Sequence, residues 1–215
     1  MTVVDDYQLQ TEALAARTAA RVAEVYAAMQ AGHISTEEAE ELIAALVNAA
    51  NAAAFTFADA YVSLQIEKAT TLPATATGIT PVDDYDRLLK AAHTILDGLL
   101  NMLKAHLTAD DEQHSEPVQT AGMRLGRLAR SEPLETGQKA SVAAMTEQPL
   151  VEGWTRQMDD DPCQLCVWWS RDGRIWPKAH PFQSHKGCNC QPKIVLAEHI
   201  QSTQFTRRLE RNQAP

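Results

Sequence analysis

The chain has 215 residues, 45% of them apolar but only 6% aromatic, and a formal charge of −9. Alanine carries much of the apolar share, which favours helix because its side chain loses no entropy there. The charge is uneven: residues 1–150 hold 10 Lys/Arg against 21 Asp/Glu, and residues 151–215 hold 9 against 7. This disfavours nucleic-acid binding by the first part, since phosphate backbones select basic surfaces.

The opening stretch MTVVDDYQLQTEALAARTAARV lacks the basic-then-apolar order of a secretory signal, so synthesis in a cytoplasm is expected. From about Tyr7 to Gln30, Leu14, Val22, Val25, Tyr26 and Met29 recur at helical spacing, with Thr18 as the polar interruption. Gly32 is a stop signal, and Ser35 followed by Glu38 is a capping box for a second helix. That helix is expected to reach about Lys68 and to bury Leu42, Leu46, Ala50, Ala53, Phe57, Tyr61 and Leu64. The two helices should form an antiparallel hairpin whose alanines permit close approach. Asn48, Asn51 and Asp59 interrupt the apolar run inside the second helix, so no membrane span is expected.

TTLPATATGITP reads as a break. Thr80 is expected to cap a third helix with Pro81 in its first turn, and Leu88, Leu89, Ala92, Ile95, Leu96, Leu99, Met102 and Leu103 form its apolar face. After the acidic link TADDEQHSEP, residues 117–131 and 133–147 read as two shorter helices containing glycines. The character changes near Leu150. VEGWTRQ, GRIW and KIVL are strand candidates, and FTRRLERNQAP is a basic tail. The expected fold is mainly α: a helical body over residues 1–149, a small mixed α/β cysteine-rich lobe over 150–200, and the tail over 201–215.

All four cysteines lie in that lobe. Cys163-x2-Cys166 is followed, after 18 residues, by His185-x2-Cys188-x-Cys190. A Cys-x-x-Cys turn aims two sulfurs at one point, and a second close pair completes a tetrahedron, so the spacing predicts a structural zinc site. Five candidates compete for four positions. Either the four cysteines bind with His185 supporting them, or His185 replaces one, foremost Cys190. A lobe of about fifty residues gains little from burial alone, which also favours a metal. The competing readings are disulfides or reduced core cysteines, and a redox or nucleophilic thiol. Trp154, Trp168, Trp169 and Trp176 read as lobe core, with base stacking as the alternative. Asp159, Asp160 and Asp161 read as a solvated turn, and His180 as a loop residue. No catalytic residue is nominated: the chain carries neither G-x-S-x-G nor H-E-x-x-H.

The segment from Val151 to Val195 resembles the carboxy-terminal module of the phage Mu F-like minor head proteins, in the version found in actinobacterial tailed phages. The resemblance lies in Trp154 with Arg156, the Cys163–Cys166 pair, Arg171-Asp172-Gly173 before Trp176, and His185 with Cys188 and Cys190. Lys186 and Asn189 depart from the usual fillers of that module. The resemblance implies a structural minor capsid protein, present in multiple copies inside the virion near the portal after assembly in the host cytoplasm. Its implied partners are the portal protein or the major capsid protein, with possible contact to packaged DNA. A capsid maturation protease and a DNA-binding zinc module using Arg207, Arg208 and Arg211 are the alternatives.

Overall fold

A computed structural model describes residues 2–107 and 115–196, with the side chains of 105–107 and 115 left out of that description. Four long helices, α1 (Val3–Gln30), α2 (Thr36–Thr70), α3 (Tyr85–Leu107) and α4 (Ser115–Glu147), precede β1 (Val151–Gln157). A short helix α5 (Gln164–Ser170), a 3-10 turn (Arg171–Gly173), β2 (Trp176–Pro177) and β3 (Gln191–Leu196) follow. The chain is mainly helical with a small antiparallel sheet, as its composition and periodicity predict. The acidic link and the basic tail lie outside the described residues, and so does the His106 side chain.

The expected hairpin of α1 and α2 forms. Val22 and Tyr26 late in α1 pack with Ile43 and Val47 early in α2, while Val4 and Tyr7 pack with Tyr61 and Ile66. Ser35 caps α2: its Oγ accepts the Glu38 N–H at 3.1 Å, and its own N–H donates to Glu38 Oε2 at 2.8 Å. The face of α2 differs from expectation. Leu42 and Leu64 are 45% and 50% exposed, while Ala39, Ile43, Ala44, Val47, Ala54, Ala58, Val62 and Ile66 are buried. The reason is that α2 packs on α1, α3 and α4 together, so its buried surface is broad and turned away from a single stripe. By length and composition alone α2 could cross a membrane, although 39% of its most apolar window is buried against the rest of the protein.

The third helix starts later than its proline suggests. Asp83 Oδ1 accepts the Tyr85 N–H, and the Asp84 carbonyl accepts the Leu88 N–H, so the first turn is built at Tyr85 rather than Pro81. Asn48 of α2 fixes that start by donating to Asp83 Oδ1 and accepting the Asp84 N–H. Upstream, buried Asp59 ties down the preceding link through the Thr77 N–H, the Thr77 hydroxyl and the Gly78 N–H. Leu88, Ala92, Ile95, Leu96 and Leu99 then enter the core as expected.

The two helices expected over 117–131 and 133–147 are one. Helix α4 runs 33 residues through Pro133, whose missing N–H costs a helix interior about 3 kcal/mol. Packing on both sides offsets this, since Leu125, Ala129, Leu134, Ala140, Ala144 and Met145 are all buried. Gly137 is part of the same packing. A Cβ there would stand 2.9 Å from the Tyr7 hydroxyl, so the glycine lets α4 approach α1 closely.

The sheet has the order β2-β1-β3, with both pairings antiparallel and a register shift between Val151 and Gly153. Its inner side does not form a separate core. Val151, Trp154 and Leu196 pack in one cluster with Val4, Tyr7, Tyr61, Ile66 and Met145. Helix α2 also caps the outer edge of β3. The Tyr61 hydroxyl donates to the Pro192 carbonyl at 2.8 Å, and Gln65 Oε1 accepts the Ile194 N–H at 3.0 Å. Pro192 itself has no N–H to offer.

Candidate metal centre

Two tight turns bring the cysteines together. Cys163 is the N-cap of α5 and Cys166 lies in its first turn, with the Cys163 carbonyl accepting the Val167 N–H. In the second turn the Cys188 N–H donates to the His185 carbonyl at 3.1 Å. Gly187 takes φ +79° between them, a left-handed conformation that a side chain would strain.

The five predicted residues converge. Two groups of three, Cys163–Cys166–His185 and Cys166–Cys188–Cys190, each keep their ligand atoms within 4.8 Å of one another, and Cys166 belongs to both. His185 Nε2 lies 2.9 Å from Cys163 Sγ and 3.4 Å from Cys166 Sγ. Cys166 and Cys188 Sγ are 3.4 Å apart, well beyond the about 2.05 Å of a disulfide, and all four cysteines are free thiols. Cys163 is exposed, while Cys166, Cys188 and Cys190 are buried.

His185 is oriented as a ligand. Its Nδ1 faces the Lys186 carbonyl at 3.2 Å, so a proton on Nδ1 leaves the Nε2 lone pair aimed at the sulfurs. Burial opposes its charged form, but the Lys186 carbonyl and the neighbouring sulfurs outweigh this and raise its pKa. Cys188 ionises first. The Cys190 thiol and N–H both donate to its sulfur, holding it down to about 5. Burial and then the Cys188 charge push Cys166 up to about 12, and donation to Cys188 together with burial raises Cys190. Adjacent sulfurs therefore resist joint ionisation, and a bound cation would relieve that conflict. This cluster can hold a metal ion.

Its supports were not legible in the cysteine spacing. From α4, the Gln138 Nε2 donates to both the Cys188 carbonyl at 2.8 Å and the Cys190 carbonyl at 2.9 Å. Asn189, between those cysteines, is buried and bolted to α1. It donates to the Gln8 carbonyl at 2.8 Å and accepts from the Thr11 hydroxyl at 2.7 Å, while its carbonyl accepts from Gln8 Nε2. Asp159 is more than a solvated turn residue, since its Oδ2 accepts the Asn189 N–H at 3.2 Å; Asp160 and Asp161 are exposed as expected. The one available signal was that a polar Asn occupies the gap between two ligand candidates.

The tryptophans divide. Trp154 is buried and Trp169 and Trp176 are half-buried, but Trp168 is 59% exposed because its side of α5 faces away from the lobe. His180 stacks on Trp176 with ring centroids 4.1 Å apart, and its carbonyl accepts the Trp154 Nε1–H. His93 lies 3.1 Å from both carboxylate oxygens of Glu40, far from the centre.

No family model, curated protein or solved structure matches the chain.

Proposed function

We propose that this chain is a structural, non-enzymatic minor capsid protein of a tailed phage, with a zinc-stapled lobe on a helical body. What supports the reading is the way the residues shared with the Mu F-like module fall into one unit. Trp154 and Arg156 lie on β1, the Arg171–Gly173 turn leads to Trp176 on β2, and the His185–Cys190 turn leads into β3. The acidic body suits protein contacts with the portal or the inner shell.

Zinc is the favoured ion because the donors are thiol sulfur and imidazole nitrogen. A tetrahedral site with bonds of about 2.0–2.3 Å spaces such donors roughly 3.5–3.8 Å apart. The 3.4 Å separations around Cys166 need little adjustment to reach that, while the 2.9 Å between Cys163 Sγ and His185 Nε2 must open by about 0.6 Å. The ligand set favoured is Cys163, Cys166, His185 and Cys188, because His185 turns Nε2 to the sulfurs while Cys190 donates to Cys188; Cys188 must close on the first triad, since the two triads share only Cys166. Cys190→Ser should then retain one zinc per chain, whereas Cys166→Ser should lose it. Zinc loss in Cys190→Ser with retention in His185→Ala would reverse the assignment.

The capsid reading is tested by expressing the chain with the portal and major capsid proteins of its own phage. Copurification with portal-containing heads in a fixed ratio is expected. Heads that assemble and exclude the protein would refute it.

A further inference from the structure

We propose that a cavity beside Arg156 in the lobe binds a phosphoryl group. The proposal stands on this cavity alone and is independent of the capsid reading. The cavity measures about 190 Å³ and is lined by Arg156, Trp154, Trp169, Trp176, Arg171 and His180 among others, with no carboxylate in its wall.

Arg156 is 6% exposed and pairs with no Asp or Glu among the described residues. Its Nη2 donates to the Gln183 carbonyl, but Nε and Nη1 are buried without a partner. Aromatic packing does not account for them. The guanidinium carbon lies 4.0 Å from the Phe182 ring centroid and 5.4 Å from that of Trp169, contacts that address the π face and leave the in-plane N–H groups unsatisfied. A buried charge with unmet donors is costly unless something pairs with it.

Trp176, which also lines the cavity, carries another orphan. Trp176 Nε1 is also buried without an acceptor. The three orphan atoms are all N–H donors, so the complementary ligand carries several acceptor oxygens and negative charge. Charge selects phosphate over carboxylate. Arg156 and Arg171 both line the cavity, and the stretch from Ser170 to Gly187 contains Arg171, Arg174, Lys178 and Lys186 against Asp172 alone. Two guanidinium groups can take the dianion of free phosphate or the single charge of a phosphodiester, and arginine matches the oxygens of either geometrically.

The test titrates the zinc-loaded full chain with inorganic phosphate, and separately with a short single-stranded oligonucleotide, following tryptophan emission at constant ionic strength. A saturable change is expected, with none from acetate at equal concentration. Arg156→Lys keeps the charge but loses the planar donors, and should weaken binding about tenfold or more. Arg171→Gln alters an exposed side chain, should leave the fold intact, and should weaken binding several-fold. It carries the test if Arg156→Lys fails to fold. A tighter response to the oligonucleotide than to phosphate identifies a nucleic-acid backbone as the source, and the reverse identifies a free phosphate. No saturation with either ligand, an equal response to acetate, or unchanged binding in folded variants would overturn the proposal.

Discussion

In the helical body, cohesion comes from small apolar side chains. Ala15, Ala39, Ala44, Ala54, Ala58, Ala92, Ala129 and Ala140 are buried, and the helices meet closely. In the lobe it comes from aromatic rings, polar bolts and thiols: Trp154 against Phe182, Gln138 under the second cysteine turn, and Cys166 shared by two triads that could hold a metal ion. The first kind of packing is spread over four helices and tolerates local loss. The second depends on a few groups. The regions nonetheless share the cluster of Tyr61, Met145, Trp154 and Leu196, so failure in one is felt at the seam.

Treatment with a chelator probes that contrast most strongly. Structural zinc contributes about 10–16 kcal/mol of apparent binding energy in small peptides. Chelation is expected to abolish near-ultraviolet tryptophan dichroism while most far-ultraviolet helix signal persists. Loss of both signals together would mean that the shared core makes the molecule one cooperative unit, and an unchanged tryptophan signal would remove the case for zinc.

Gln138→Ala acts at the joint between the regions. It frees two buried carbonyls, so a loss of about 1–3 kcal/mol is expected, with metal affinity falling roughly 10–100-fold as for other supporting contacts. Competition with a zinc indicator measures the affinity. An unchanged affinity would show that α4 does not hold the metal turn.

The smallest effect concerns the body side of the seam. Tyr7 and Tyr61 stack with centroids 4.0 Å apart, and burial raises both phenol pKa values above the ordinary tyrosine value of about 10. A raised folded pKa gives stability that is complete below the unfolded value and lost as pH climbs above it. Stability should therefore be flat near neutrality and fall above pH about 10, by roughly 1.4 kcal/mol per pH unit for each tyrosine. Denaturant midpoints for Tyr61→Phe, which cannot ionise, should show a shallower fall. Equal slopes would place the sensitivity elsewhere.

What the sequence disclosed was local. The Ser35–Glu38 box joins residues three apart, and the cysteine turns are legible because their candidate ligands stand two or three positions apart in the chain. The long-range partners left little trace. Gln138 is 50 residues from Cys188, and Thr11 is 178 from Asn189, and neither type of contact has a periodicity. The division into 117–131 and 133–147 failed because the packing that carries one helix through Pro133 is not visible in local sequence. Leu42 and Leu64 misled because a single stripe was assumed for a helix that packs on three other helices.

The cap that α2 places on β3 has one more consequence. An open strand edge invites the same strand of another molecule, a route to fibrous aggregation. Here Pro192 offers no donor, Tyr61 takes its carbonyl and Gln65 takes the Ile194 N–H. A second copy would therefore have to displace Tyr61 and Gln65 of α2 before its backbone could pair with β3 at Pro192 and Ile194.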